Sequence, residues 1–393
     1  MKRFMVFLLA IFIAASLAGC GQKAKEGPQE GKKPGNTALP ANMSWTSYDV
    51  TASGYIHAAA IADALNKKFG VTVRIIPSGT SMGRIMPLMQ GKATYGFLGD
   101  EAMFAADGTF DFADITKGPQ DIRTVIAKPS TISYFTTKEN FDKGMKTPYD
   151  FKGKRLPYIP GSPTTNVKVD AFLRYAGLTR DDVQIVTFPS FAAANRGLIE
   201  RTVDLGIAVP TGPVVYEIDS SPVGLYRLEF PAADKEGWAR FHEVLPTFYP
   251  TIEKAGPAIH KKDGIEEVGF KFPHIVTYPK TSADEVYALT KAIAETYDMY
   301  KNVDDLAPAW QIKLASGVPV SAPYHEGAIR YFKEIGVWTD KHEAWNQQAL
   351  KRAAALQQAW KQAVKEGKEK GLSGTAFADF WMKKREEALK TLK

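Results

Sequence analysis

The sequence predicts an α/β fold, because short β-rich runs alternate with longer runs that have helical spacing. The same order of strands and helices occurs twice along the chain, and the end of the chain is helical throughout. The 393 residues, 45% of them hydrophobic, are enough for two domains with substantial cores. Strands that alternate with helices favour mainly parallel sheets. We therefore expect two α/β units followed by C-terminal helices.

The N-terminus has the features of a secretory signal peptide. Lys2 and Arg3 precede an uncharged apolar run over residues 4–17, and the run ends in Leu-Ala-Gly-Cys at Cys20, the only cysteine of the chain. This ending resembles the bacterial lipoprotein signal, which implies that residues 1–19 are removed and that Cys20 carries a lipid anchor. The protein would then lie in the periplasm or on the extracytoplasmic face of a membrane. An ordinary secretory leader and an uncleaved helix remain the alternatives.

Residues 20–43 form a predicted tether, because they are rich in Gly, Pro, Lys and Glu and have little apolar surface to bury. After the tether no apolar stretch approaches the roughly eighteen residues of a membrane span, so we expect no second membrane segment. The net charge of +7 falls to +5 without Lys2 and Arg3, and basic residues are mixed with acidic ones. That distribution argues against nucleic-acid binding.

The first α/β unit is predicted from five segments. A helix over residues 58–69, entered from Ser53 and Gly54, precedes a strand over 71–76. A turn rich in Gly, Ser and Thr then leads into a helix over 84–90 and a short buried strand over 95–98. This order places a polar turn directly after a strand.

The second unit repeats the pattern. Its predicted segments are a strand over 154–159, a turn over 161–166, a helix over 167–175, a strand over 183–188, a helix over 192–200 and a strand over 205–209. Helices follow over 282–301, 323–335, 341–365 and 375–390. In the third of these, Trp345, Leu356 and Trp360 share one face, and a stripe at that spacing is typical of core packing rather than of a ligand site.

Two turns are the best candidates for a binding site, because open α/β sheets bind ligands beyond the carboxyl ends of their strands. The first turn, residues 78–84, follows a strand and opens a helix, and the second turn, residues 161–166, is built in the same way. Free backbone N–H groups and the helix dipole favour an anion at such positions. The alternative is that each Ser or Thr only caps its helix. Two such turns, one in each unit, predict a ligand held between them.

The order of segments resembles the solute receptors of tripartite ATP-independent periplasmic (TRAP) transporters, in particular the TAXI subfamily. The segments that carry the resemblance are TASGY at 51–55, SGTS at 78–81, GKATYGF at 91–97, FKGKRL at 151–156, GSPT at 161–164, YAGLTRDDV at 175–183, VDLG at 203–206 and HEGAIRYFKEIGVW at 325–338. The resemblance implies a two-lobed, type II periplasmic binding protein-like fold. Lobe 1 would comprise residues 44–130 and 265–393 with the C-terminal helices, and lobe 2 residues 131–264.

The resemblance also implies a ligand, a partner and a set of binding residues. The ligand would be a small organic anion, such as a glutamate-like carboxylate, and the partner would be the TRAP membrane permease; we expect a monomer and no cofactor. Arg84 stands where the subfamily usually has Asn, and its guanidinium would bind a carboxylate or sulfonate through two parallel hydrogen bonds; a surface or interlobe salt bridge is the alternative. The expected binding residues are Ser53, Tyr55, Ser78, Thr80, Ser81, Arg84, Gly99, Asp100, Ser162, Thr164, Thr165, Asn166 and Thr211.

A serine hydrolase is the alternative function, since residues 79–83 match G-x-S-x-G with Ser81 as the nucleophile. Too few strands precede this serine for a hydrolase fold, and the candidate bases His325 and His342 lie in no recognisable motif. The six histidines show no pair at i and i+4, so no metal site is predicted, and no dinucleotide or phosphate-loop motif occurs. A structural or adhesive lipoprotein is a third possibility.

Overall fold

The structure is a computed structural model, and it describes residues 39–392. The predicted signal peptide, Cys20 and most of the predicted tether lie outside the described residues. The described part contains ten strands and fourteen α-helices. The strands are β1 Asn42–Tyr48, β2 Thr72–Ser78, β3 Tyr95–Leu98, β4 Arg123–Thr136, β5 Arg155–Tyr158, β6 Gln184–Thr187, β7 Gly206–Ala208, β8 Tyr226–Arg227, β9 Tyr249–Glu253 and β10 Ile265–Thr277.

The helices follow the strands closely in the first part of the chain and dominate its end. They are α1 Ser53–Phe69, α2 Ser81–Met89, α3 Glu101–Asp107, α4 Lys138–Asp142, α5 Pro163–Tyr175, α6 Phe191–Arg196, α7 Pro213–Ser220, α8 Lys235–His242, α9 Ala283–Glu295, α10 Tyr297–Tyr300, α11 Ile312–Ala315, α12 Glu326–Glu334, α13 Asp340–Glu369 and α14 Gly374–Lys390. The predicted α/β class and the C-terminal helices are therefore confirmed.

The expectation of mainly parallel sheets is wrong. The large sheet has the order β2-β1-β3-β10-β4-β7, with β8 added to β4 and β9 added to β10. Only β1 with β2 and β1 with β3 pair in parallel in this sheet, whereas β10 is antiparallel to both β3 and β4. A separate pair, β5 and β6, is parallel. The described strands thus form one mixed sheet and one small parallel sheet.

The expectation of mainly parallel sheets failed because the sequence analysis did not identify the two long strands β4 and β10. Both are buried along nearly their whole length, so they lack the alternation of apolar and polar residues that marks a strand with one exposed face. They lie side by side at the centre of the large sheet, and β10 brings the chain back between β3 and β4.

Most of the predicted segments are found with shifted ends. The predicted strand over 95–98 coincides with β3, and the first predicted helix extends back to Ser53. The second turn is shorter than expected because α5 already begins at Pro163, a residue that fits the first helical turn since it needs no N–H donor there. The predicted helix over 282–301 is interrupted at Thr296.

The C-terminal helices pack on the segment around Gly108 through an aromatic cluster. The indole N–H of Trp381 donates to the carbonyl oxygen of Gly108 at 2.6 Å, and the ring of Trp381 lies 4.8 Å from that of Trp360. Arg352 and Arg385 both hold the carboxylate of Asp107 at 2.8 Å. The aromatic stripe of α13 therefore belongs to a core, as the spacing predicts.

Candidate functional site

The two turns predicted from the sequence are in direct contact. The hydroxyl of Ser81, at the start of α2, lies 2.6 Å from that of Thr164 and 3.2 Å from that of Ser162. The backbone N–H of Met82 donates to the carbonyl oxygen of Gly161 at 3.0 Å. Segments that are about eighty residues apart in the chain thus meet at the carboxyl ends of β2 and β5.

A cavity of about 60 Å³ lies beside this contact. Six of the expected binding residues line it: Ser53, Arg84, Gly99, Ser162, Thr164 and Thr165. Its remaining wall is largely apolar and includes Ile132, Phe191, Phe270 and Phe272. A mostly apolar pocket with a few convergent polar groups is typical of a small-molecule site.

Arg84 is buried at this cavity and paired. Its Nε donates to the carboxylate of Glu101 at 2.7 Å, and both side chains are 3% exposed or less. The guanidinium also lies 3.8 Å from the centre of the Tyr48 ring, and Nη2 reaches the hydroxyl of Ser81 at 3.3 Å. Burial lowers the pKa of Arg84, but the Glu101 carboxylate outweighs it and the pKa is raised overall. Arg84 is thus in a salt bridge, as the alternative expected, but the pair is buried and not at the surface, and both partners lie within residues 44–130.

A second buried ion pair joins Lys168 to Asp100. The Lys168 ammonium donates to the Asp100 carboxylate and, at 3.2 Å, to the carbonyl oxygen of Thr164, and it lies 5.3 Å from the centre of the Phe270 ring. Burial raises the pKa of Asp100, and the ammonium of Lys168 opposes that effect. Asp100 faces a different cavity, whereas Lys168 lines the one beside the turns.

Ser53 contributes a polar group without a partner. Its side chain is 2% exposed and lines the cavity, and its hydroxyl has no hydrogen-bond partner among residues 39–392. One carboxylate oxygen of Glu101, Oε2, is also buried without a partner there. Buried polar atoms normally have partners, so each such atom calls for an explanation.

Three expected residues have structural contacts instead. Thr80 caps α2, accepting from the backbone N–H of Gly83 at 3.1 Å, and Ser78 bonds to the backbone of Thr80. The side-chain amide of Asn166 makes two 2.9 Å bonds with the backbone of Ile159, which fixes the end of β5. Of the N–H groups expected to be free at the first turn, those of Met82 and Gly83 are thus already used.

Three further expected residues also lie outside the lining of this cavity. Thr211 donates to the carboxylate of Asp304 at 2.7 Å, and the same carboxylate contacts His57 at 2.9 Å. Tyr55 is half-buried on α1. Ser81 does not line the cavity, but its hydroxyl bonds to Thr164 of the second turn.

The sequence analysis missed Tyr48, Glu101 and Lys168. Tyr48 ends β1, a strand that the analysis did not identify, although a strand end next to β2 is the expected place for a ligand contact. Glu101 follows directly on the expected Asp100. Lys168 lies one helical turn after Thr164 on α5, and this i, i+4 spacing could have indicated it. A Cβ at Gly99 would lie 2.4 Å from the Tyr48 hydroxyl, so a larger residue there would have to displace the Tyr48 ring.

The hydrolase alternative gains no support from the surroundings of Ser81. Its hydroxyl contacts Ser162, Thr164 and Arg84, and no histidine is within hydrogen-bond distance in the described part of the chain. His325 accepts from the N–H of Gly327 as a helix cap. A serine nucleophile needs a neighbouring base, which these contacts do not provide.

Residues 39–392 show neither a membrane-spanning helix nor a cluster of metal ligands. None of the helices in this range combines the length and apolarity of a membrane span. No group of three or more His, Cys, Asp or Glu side chains in this range is placed to hold a metal ion.

Strand-end turns from separate parts of an α/β chain that enclose a cavity are a typical place for a small-molecule ligand. The chain belongs to the NMT1-like family, whose model matches residues 50–336.

Solved structures that resemble the chain include periplasmic binding proteins. A protein from Bordetella bronchiseptica RB50 shares 17% identity over 77% of this chain and 90% of its own, with a TM-score of 0.45. PhnD1 from Prochlorococcus marinus in complex with methylphosphonate shares 11% identity over 76% of this chain and 99% of its own, with a TM-score of 0.45. The periplasmic aliphatic sulphonate binding protein SsuA from Escherichia coli shares 16% identity over 69% of this chain and 77% of its own, with a TM-score of 0.39. At these identities and TM-scores the likeness is distant.

Proposed function

We propose that the protein is an extracytoplasmic solute-binding receptor of the TRAP type, related to the TAXI subfamily, that captures a small organic anion and delivers it to a membrane permease. The observation that carries this proposal is the meeting of the two strand-end turns at one cavity, through the contacts of Ser81 with Ser162 and Thr164. No chemical conversion of the ligand is part of the proposal.

The proposed lobes are residues 44–130 with 265–393, and residues 131–264. One apolar core cluster, around Trp45 and Trp310, draws nearly all its members from the first set, and another, around Phe135 and Val215, draws all its members from the second. The contacts of the two turns, and the pairs of Lys168 with Asp100 and of Thr211 with Asp304, would then be interlobe contacts of a closed state.

The proposed ligand is a small monocarboxylate with an apolar body. Arg84 and Lys168 supply N–H donors to the cavity, but each already has a buried carboxylate partner, so the site offers hydrogen bonds without surplus positive charge. Every ligand carboxylate therefore adds an unbalanced charge, which favours a ligand with only one. The hydroxyls of Ser53 and Thr165 are further candidate donors, and the phenylalanine rings would contact the apolar body. A dicarboxylate such as glutamate fits this wall less well than a monocarboxylate.

The proposed partner is a TRAP membrane permease that recognises the closed receptor. Closure is favoured by ligand because the ligand touches both lobes only when they meet. The lipid on Cys20 would keep the receptor at the membrane surface, and no cofactor or oligomerisation is required.

The test is a thermal-shift screen of organic acids with the purified protein, followed by calorimetry on Thr165→Val. Valine keeps the shape of threonine and removes the hydroxyl that lines the cavity, so affinity should fall by about 2- to 12-fold, as for the loss of one hydrogen bond. Thr187→Val, at an exposed position on β6, is the matched control and should bind as the unchanged protein does.

The recovered ligand should be chemically unchanged by mass spectrometry. A screen in which no acid stabilises the protein, or an equal affinity of Thr165→Val and Thr187→Val for the best acid, would overturn the proposal. Conversion of the ligand would overturn the assignment as a receptor.

A further inference from the structure

A second cavity, of about 210 Å³, lies next to the first and shares Phe270 with it. It is lined on one side by α3 and the start of β9, and on the other by β10 and residues 318–321. Asp100, which is paired with Lys168 of the first cavity, is also part of its wall. The two cavities are thus separated by one aromatic ring and one ion pair.

Lys271 provides this second cavity with a cation that lacks a carboxylate partner. Its ammonium donates weakly to the carbonyl oxygen of Leu314 at 3.4 Å, and no Asp or Glu oxygen lies within 4.0 Å of it in the described part of the chain. Burial lowers the pKa of Lys271 to about 8, which leaves most molecules protonated at neutral pH. An ammonium has three donors, so this group can still donate to a bound anion.

Two polar side chains lie beside Lys271 in the wall. His274 is 2% exposed, and its Nε2 is within 2.9 Å of the carbonyl oxygen of Lys271, so this nitrogen carries the proton and donates. Its other ring nitrogen, Nδ1, is buried without a partner among the residues that the structure describes. The hydroxyl of Ser321 lies 3.4 Å from Nε2 and is free to donate elsewhere. The polar end of the cavity therefore has unused hydrogen-bonding capacity.

The other walls are apolar. They are formed by Met103, Phe248, Phe270, Val318 and Val320. A cavity with one unpaired cation at a polar end and aromatic and aliphatic walls elsewhere fits a molecule with a single anionic group and a compact apolar body.

We propose that this cavity is a second binding site, separate from the one between the turns, for a small monocarboxylate with an aromatic or branched aliphatic body. The carboxylate accepts from the Lys271 ammonium and the Ser321 hydroxyl, and the body packs on Phe248, Phe270 and Met103. The site does not depend on the proposed function, because none of these contacts involves the two turns.

Met103 offers a reporter that belongs to the second cavity alone. The protein labelled with carbon-13 at its methionine methyl groups would be titrated with benzoate, 3-methylbutanoate and 4-methylpentanoate, and the Met103 signal assigned with Met103→Leu. At least one acid should shift this signal to saturation. Benzamide, a neutral analogue of benzoate, should bind about tenfold more weakly than benzoate, because it lacks the charge-assisted bond.

Lys271→Met tests the cation, and Lys280→Met, at an exposed position, is the matched control. The first variant should lose about tenfold in carboxylate affinity at Met103 and no longer distinguish benzoate from benzamide, while the second should match the unchanged protein. Thr165→Val should leave the Met103 response intact, which separates this site from the first cavity. The proposal is refuted if none of the three acids, at millimolar concentration, shifts the Met103 signal to saturation. It is also refuted if folded Lys271→Met still prefers benzoate over benzamide as strongly as the unchanged protein does.

Discussion

Ser53→Ala should raise the free energy of unfolding and at the same time weaken ligand binding. In most buried sites the loss of a serine hydroxyl costs stability because it leaves a partner unsatisfied. The hydroxyl of Ser53 has no partner within residues 39–392, although the side chain is 2% exposed and lines the cavity beside the turns. Its burial therefore costs free energy in the ligand-free protein, and a bound ligand can recover that cost.

The size of both effects follows from this geometry. An unpaired buried polar group costs about 1–3 kcal/mol, so removal of the hydroxyl should stabilise the free protein by about 1 kcal/mol, less a small loss of packing. For a protein of this size such a gain corresponds to about 1–2 °C in Tm. If the ligand accepts from or donates to this hydroxyl, affinity should fall by about 2- to 12-fold.

Ser130→Ala supplies the comparison. The hydroxyl of Ser130 on β4 is also buried without a partner in the described chain, but it does not line the cavity. Urea unfolding should show a similar gain for both variants, and calorimetry with the best acid from the screen should show weaker binding for Ser53→Ala alone. A loss of stability in Ser53→Ala, or equal affinities of the two variants, would refute the assignment of Ser53 to the ligand.

Three further changes test the electrostatics around the two cavities and the packing of the C-terminal helices. Glu101→Gln should destabilise the protein by about 3 kcal/mol in urea unfolding, because it leaves the buried guanidinium of Arg84 without its counter-charge; a loss below about 1 kcal/mol would contradict this. Burial lowers the pKa of His274 from 6.5 to about 4, so stability present above pH 6.5 should fall by about 3 kcal/mol as the pH drops to 4. Burial also lowers the pKa values of His57 and His325, which contribute to the same loss, so His274→Asn should reduce this slope and not abolish it. An unchanged slope would rule out a contribution from His274. Gly118→Ala should lower the free energy of unfolding by about 2–4 kcal/mol, because Gly118 has a φ of +70° and a Cβ there would lie 2.2 Å from the Trp360 ring. Unaltered amide-hydrogen exchange in α13 and α14 would contradict this.

The limits of sequence reasoning are clearest at Arg84. Its place near the start of a helix beside a polar turn marked it as a candidate, and it does line the cavity. Its partner, Glu101, lies on another helix, α3. The two residues meet because β2 and β3, the strands that precede their helices, both pair with β1, and the spacing of residues along the chain does not show this pairing. Ser78 and Thr80, two of the expected binding residues in the first turn, instead bond to the backbone of the turn.

By itself, the sequence determined the alternation of strands and helices, the polar turns at strand ends and the aromatic core of the C-terminal helices. These features follow from the periodicity of apolar residues and from local backbone chemistry, which act over a few residues. The tertiary structure alone decided that β4 and β10 are antiparallel neighbours, that the two turns touch and that Arg84 and Lys168 meet buried carboxylates. Such contacts join residues far apart in the chain, and fully buried strands and paired charges leave no local pattern from which their partners can be identified.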